Sequence, residues 1–333
     1  MSDASQQPDV TFVIAAYNAE DTLARSIDSA LAQTSVAVEV VVVDDCSTDS
    51  TSAIATGFDD GRVKVIRQAE NGGPGRARNT GIAAASGAWI AVLDADDEVR
   101  PQRSSAMIER ARSMGADIVV DNLEVIPMGG GNATQMFTTE ELARRTEITL
   151  AEYIDSNVIF RDTFNFGYMK PMFRRDFLLR HDLVFGEELR IGEDYIMMAS
   201  ALASGGRCAV EPSAGYIYHL RQESISRVLE LRHVDAMLAG DCDFQARFPL
   251  KGSVLAAQYR RTRSLIEAHT FLTVVDAIKA RSPGGVIRAA IAHPAALRHL
   301  RMPIAVRVQR LLDRSSDVLG RSGGRKRRVR QPG

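Results

Sequence analysis

Asp94-Ala95-Asp96-Asp97 sets three carboxylates in four positions directly after the apolar run Trp89 to Leu93. Acids at that density repel one another unless a positive group sits among them. A divalent cation that prefers hard oxygen ligands, Mn2+ or Mg2+, would meet that need. Such an ion commonly completes its shell with phosphate oxygens and water, and can neutralise a departing diphosphate. The same acids could instead cap a helix beginning near Pro101, because acidic residues favour helix N-termini.

Other candidate groups follow at intervals. Asp44-Asp45 ends a second apolar run and could accept hydrogen bonds from a nucleoside, or cap a helix together with Ser47. Asn71-Gly72-Gly73-Pro74-Gly75-Arg76-Ala77-Arg78-Asn79 joins a flexible backbone to two guanidiniums, able to contact phosphate or hold carboxylates in place. It is not a dinucleotide fingerprint, since Arg78 stands where the third glycine belongs, and no phosphate-binding G-x-x-x-x-G-K-[ST] loop exists. Gly192-Glu193-Asp194 precedes an apolar helix over Tyr195 to Leu202; one of its acids could be a general base for an attacking hydroxyl, or both could be a helix cap. Arg221, Ser224 and Ser226, after Tyr216-Ile217-Tyr218-His219, could close over phosphates, whereas His219 reads as structural.

The elements that must position these groups alternate. Val10 to Ala15, Val38 to Val43, Val63 to Arg67 and Trp89 to Leu93 read as strands, the second as one covered on both faces. Glu20 to Gln33, a helix starting at Ser47, and Arg76 to Ala85 read as the helices between them. Strands crossing over through helices build a Rossmann-like, doubly wound, mainly parallel α/β sheet, which binds ligands beyond its strand C-termini. Tyr17-Asn18, Asp44-Asp45, the Asn71 loop and Asp94 to Asp97 all follow strands, so they converge on one edge. Further on, Asp117 to Val120 and Arg207 to Val210 are short strand candidates, Leu150 to Ser204 is mixed and helical, and only helices are expected after Glu230. Gly129-Gly130-Gly131 reads as a flexible loop and Ser282-Pro283-Gly284-Gly285 as a break.

At 333 residues and 45% hydrophobic, the chain can bury a large core. Its 3 cysteines are too scattered for a disulfide framework, which points to a reducing cytoplasm. Nothing between Met1 and Asp9 resembles a secretory signal, and no run approaches the roughly 20 apolar residues of a membrane span. The net charge of -1 conceals a basic tail: residues 281–333 hold 13 Lys/Arg against 2 Asp.

The order and spacing of VTFVIAAYNAEDTLARSIDSALAQT, VEVVVVDDCSTDST and NGGPGRARNTGIAAASGAWIAVLDADD resemble the family 2 inverting glycosyltransferases of GT-A fold, across roughly Val10 to Ser226. FGYMKPMFRRDFLLRHDLVFGEELRIGED resembles the family's acceptor-side segment, with Lys170, Arg174 and Phe185 in recurring places. The resemblance implies a catalytic domain over residues 1–227, a helical basic extension over 228–333, and a D-x-D motif at Asp94 and Asp96. Asp96 would then contact the metal, Asp45 the uracil, and Asp194 would be the base. Ala15, Tyr17, Asn18, Asp44, Gly73, Arg78, Asp94 and Ala95 would line the nucleotide, and Glu193, Lys170, Arg221 and Ser224 the acceptor or phosphates. The Q-x-x-R-W motif of processive members is absent, which implies one sugar per acceptor.

The resemblance is closest to bacterial enzymes that extend lipid-linked repeat units of succinoglycan-like polymers, and implies a UDP-hexose donor, with glucose favoured by family frequency. A tail in which Arg288, Arg298, Arg301, Arg307, Arg310 and Arg314 interleave with Ile287, Leu297, Leu300, Ile304, Val308 and Leu311 fits an anionic membrane surface. A cytoplasmic enzyme, peripheral on the inner face of the cell membrane and without a nucleic-acid partner, is the resulting expectation. A disordered or partner-binding tail is the alternative to membrane docking. For the domain itself the alternatives are a silent nucleotide-sugar-binding module and a sugar nucleotidyltransferase.

Overall fold

The computed structural model describes residues 7–127, 131–161, 164–220, 229–292 and 294. The first half alternates strand and helix: β1 (Val10–Ala16), α1 (Leu23–Leu31), β2 (Val38–Asp44), α2 (Thr51–Thr56), β3 (Val63–Arg67), α3 (Gly73–Ala84) and β4 (Trp89–Asp94). Then come β5 (Glu98–Val99), α4 (Arg103–Met114), β6 (Ile118–Ile126), β7 (Thr134–Gln135), α5 (Thr139–Ala143) and α6 (Leu150–Ser156). A 3-10 turn (Phe166–Tyr168) leads to β8 (Met172–Arg174), α7 (Arg175–Arg180), α8 (Glu193–Ala203) and β9 (Cys208–His219). Three helices follow: α9 (Leu231–Arg247), α10 (Gly252–Lys279) and α11 (Pro283–Ala292).

The nine strands form one mixed sheet in the order β3-β2-β1-β4-β8-β6-β9-β5, with β7 beside β6. The pairs among β3, β2, β1 and β4 are parallel, while β8 enters antiparallel to both β4 and β6. The valine-rich run of β2 is explained by its two covered faces. Val38, Val40 and Val42 join the core that holds Leu23 and Ile27 of α1, whereas Val41 and Val43 pack with Ala77 of α3. Glu39 interrupts that run yet is buried, because Lys64, the Thr11 hydroxyl and the amide and hydroxyl of Ser86 all bond its carboxylate.

Several boundaries differ from expectation. The glycine-rich stretch after β3 is not all loop: Gly73-Pro74-Gly75 is the first turn of α3, with proline where a missing amide costs nothing. For the same reason Pro283-Gly284-Gly285 opens α11 rather than ending structure. Strands β6 and β9 run well past the short segments read from sequence, pairing through a bulge at Asp121 to Leu123. Gly129 and Gly130 lie outside the described residues. By compactness the chain divides into Met1–Leu265 and Ile266–Gly333. In the second unit, Ile278, Ile287 and Ile291 are exposed. Among the described residues no helix is long and apolar enough to cross a membrane.

Candidate active site

Parallel β1, β2 and β4 end in register, so the residues that follow them meet at one edge of the sheet. After β1, Tyr17 is exposed and Asn18 takes a positive φ of 48° that turns the chain. Asn18 Oδ1 accepts from the Thr48 backbone amide at 2.9 Å, and the Asn18 backbone amide donates to Ser47 Oγ at 3.0 Å, tying this turn to the one after β2. Asp44 is fully buried: Oδ1 accepts from the Ser47 amide at 3.0 Å and Oδ2 lies 3.4 Å from Arg67 Nε. Asp45 accepts from the Gly72 and Gly73 amides at 2.8 and 2.7 Å, holding the entrance of α3. Gly73 has φ +85°, a conformation glycine adopts without strain.

The centre of the site is a five-residue ion cluster. Arg78, on α3, is buried; it reaches Asp94 at 2.9 Å, Glu193 at 2.7 Å and Asp194 at 3.0 Å, and its guanidinium lies 5.3 Å from the Phe185 ring centroid. Lys170 bridges the same acids from the other side, 2.7 Å from Asp94 and 3.0 Å from Asp194. Burial opposes the charges of Arg78 and Lys170, but the surrounding carboxylates outweigh it and raise both pKa values, so both stay cationic. Burial likewise pushes Asp94 upward, and Lys170 and Arg78 overcome it and hold the carboxyl well below its ordinary range. Glu193 goes the other way: burial, then the charge of neighbouring Asp194, raises its pKa despite Arg78. Glu193 and Asp194 open α8 after Gly192, which has φ +91°, so two acids face the positive end of the helix.

The acidic run does not cap α4, whose N-cap Gln102 makes no side-chain capping bond. Asp97 is buried instead, accepting from the Tyr216 hydroxyl and the His219 amide, each at 2.9 Å. Burial and the charges of Asp94 and Asp96 raise its pKa well above the carboxylate range. His219 Nε2 lies 2.7 Å from Glu98 Oε1. Asp96 is partly buried and Ala95 buried between the two acids. Among the described residues no three His, Cys, Asp or Glu side chains are grouped to hold a metal. A hard cation shared with a diphosphate needs only one or two protein carboxylates, and Asp96 with hard oxygen donors suits that chemistry.

Thus the structure gathers Arg78, Asp94, Lys170, Glu193 and Asp194, and sets Asn18, Asp44, Asp45 and Gly73 on the neighbouring turns of the same edge. Ala15 pairs with Val43 and Asp94 in the sheet. Arg174 stands apart, bonded to Asp117 and Asp176, and Arg221, Ser224 and Ser226 lie outside the described residues. One positioning pair was invisible in the sequence. Arg103 is buried, forks onto both oxygens of Asp121 at 2.9 and 2.8 Å, and donates to the Lys170 carbonyl, so it fixes the backbone that carries Lys170. An arginine in the first turn of a helix carries no mark of burial.

Comparison with known proteins shows the family and the fold. Residues 11–177 match the model of Glycosyl transferase family 2. Succinoglycan biosynthesis protein ExoO of Rhizobium meliloti (strain 1021) is 58% identical over 307 residues, covering 92% of this chain and 88% of that protein. The chain belongs to glycosyltransferase family 2 and is an enzyme of the glycosyltransferase class. Crystalline S. aureus TarS 1-349 in complex with UDP-GlcNAc superposes with a TM-score of 0.63 at 19% identity, covering 86% of this chain and 92% of that one. The mannosyltransferase PcManGT from Pyrobaculum calidifontis, in complex with GDP-Man and Mn2+, superposes at 0.58 with 16% identity, covering 91% and 81%. At those identities the two structures share the GT-A-like fold with this chain, as the sequence led us to expect.

Proposed function

We propose that the protein is an inverting transferase that moves a hexose, with glucose the first choice, from a UDP-sugar to a lipid-linked exopolysaccharide repeat unit, forming a β-linkage. The observation that supports it best is the ion cluster in which Arg78 and Lys170 hold Asp94 and Asp194 together at the C-terminal edge of the parallel strands. The 58% identity to a succinoglycan biosynthesis protein supports the polymer class.

In this reading the turns after β1 and β2 hold the nucleoside, and Asp194 accepts the proton of the acceptor hydroxyl as its oxygen attacks the anomeric carbon. Arg78 and Lys170 fix the orientation of that carboxylate, since each contacts one of its oxygens at 3.0 Å. Asp96 would hold a Mn2+ or Mg2+ ion, whose chemistry is to neutralise the departing diphosphate. Displacement is single, so no covalent enzyme intermediate forms and the configuration inverts. Neither a silent binding module nor a nucleotidyltransferase is favoured: the first needs no base, the second would need an early glycine-rich loop that the sequence lacks, and the chain belongs to glycosyltransferase family 2.

The test is nucleotide release from each common nucleotide sugar with Mn2+ or Mg2+, with and without a membrane extract carrying lipid-linked glycans. Metal-dependent UDP release that the extract stimulates is expected and names the donor sugar. Release from a GDP-sugar alone, or release indifferent to extract and metal, would overturn the reading.

A further inference from the structure

We propose that Arg190 grips the diphosphate of the donor and thereby couples it to the turn that launches the helix bearing the base. The inference rests on the reading above. Arg190 stands two residues before Gly192 and four before Asp194, on the connection into α8. Its side chain does not stay with that connection: it crosses to the nucleotide side, where Nη1 donates to Asn71 Oδ1 at 3.1 Å. There the guanidinium lies against Gly73. A Cβ at that glycine would come within 2.2 Å of Nη1 and 2.7 Å of Cζ. The Gly73 amide, in turn, is bonded to Asp45 at 2.7 Å. Arg190 therefore sits on the loop that follows β3 and is tied to Asp45 at the end of β2, at the strand-end edge where open α/β sheets take their ligands.

Charge makes the case for phosphate. A diphosphate arriving at this edge meets Asp94, Glu193 and Asp194, whose two cations, Arg78 and Lys170, are already locked among them. Arg190 bonds a neutral amide side chain there and is exposed, so its charge is available and its side chain can turn. A guanidinium fork matches two phosphate oxygens at once, which a lysine ammonium cannot do. Since Arg190 and the base share one short connection, a phosphate that fixes Arg190 also fixes the entry to α8.

Full-length protein with Mn2+ would be titrated by calorimetry with UDP and, separately, with uridine. Arg190→Gln should weaken UDP by about tenfold, the loss of one charge-assisted contact, and leave uridine unchanged; Arg190→Lys should fall between. In transfer assays the donor KM should rise by a similar factor while the acceptor KM holds. An unchanged thermal melt excludes a folding defect. UDP affinity equal to that of the unsubstituted protein overturns the inference, as does an equal loss for uridine, which would make Arg190 a nucleoside or loop contact. If the unsubstituted protein binds no UDP, the donor reading fails first and the inference falls with it.

Discussion

In the proposed mechanism Asp194 and Asp96 serve one reaction but should fail differently. Asp194→Asn keeps the shape of the side chain and removes the proton acceptor, so transfer should fall by about 10²- to 10⁴-fold, the usual worth of a general base. UDP affinity with Mn2+ should persist. Asp96→Ala should instead abolish the gain in UDP affinity that the metal provides. Single-turnover UDP release beside calorimetry separates the two, and an Asp194→Asn enzyme with near-normal transfer removes the base assignment. A third carboxylate, Glu39, is structural and its pH signature follows from its contacts. Burial would raise its pKa, but the bonds from Lys64, Thr11 and Ser86 outweigh it and bring the value from 4.5 down to about 2. The unfolded chain therefore takes up the proton first as pH falls. The contribution of Glu39 is full above pH 4.5 and is lost as pH drops toward 2. Glu39→Gln should cost about 2 kcal/mol near pH 7 by weakening charge-assisted bonds. In urea titrations at pH 7, 4 and 3, its deficit should shrink with acidity; a constant deficit would mean the charge contributes nothing.

At the scale of elements, α3 is where glycines decide how closely a helix can approach. A Cβ at Gly81 would lie 2.4 Å from Val13 Cγ1, so α3 rests directly on β1. Gly81→Ala would gain about 1 kcal/mol of helix propensity and lose more, about 1–3 kcal/mol, through overpacking. A Cβ at Gly75 would lie 2.5 Å from the Gly186 carbonyl oxygen, beside the segment that Asn79 holds through the Phe185 amide and carbonyl. Gly75→Ala should therefore displace that segment and reduce kcat more than it reduces the urea midpoint, with Gly81→Ala showing the reverse. Equal effects on both quantities for both variants would refute the distinction. These contacts also explain what could be read in advance. Strands β1, β2 and β4 were legible because both faces are covered and each is apolar along nearly its whole length, with Thr11 and Glu39 the polar residues inside β1 and β2. Strand β8 was not, because three residues hold no period. The far half of β6 was hidden by Asp121 and Asn122, polar residues that are buried only because Arg103 and the Phe137 backbone bond them. Pro212 concealed the length of β9, where the bulge in its pairing absorbs the irregularity.

Across the whole molecule, the site was legible as a set of strand-end positions but not as a set of contacts. Sequence position placed Asp44, Asp45 and Asp94 near one edge, since a parallel sheet sends all its strand ends the same way; Asp194, in the first turn of a helix, was singled out by the family resemblance instead. Position alone left open whether Arg78 met phosphate or carboxylate, because a guanidinium suits both; the fold commits it to three carboxylates. The charge distribution is the feature that local structure does not explain. Residues 281–333 carry 13 basic against 2 acidic side chains, while the rest of the chain is strongly acidic in balance. The tail arginines Arg298, Arg301, Arg307, Arg310 and Arg314 lie outside the described residues, but α11 within it is described. There Ile287 is 58% and Ile291 73% exposed, one helical turn apart, beside Arg288. Exposed isoleucines in a basic setting match an anionic lipid surface, each basic residue contributing about 1 kcal/mol within a Debye length of roughly 10 Å. Full-length protein should sediment with vesicles containing anionic phospholipid at about 0.1 M salt and be largely released at about 0.5 M, where screening is stronger. It should ignore neutral phosphatidylcholine vesicles at either salt concentration. Equal binding to both vesicle types would assign the association to the isoleucines rather than the charges, and no binding to either would leave the tail to a macromolecular partner.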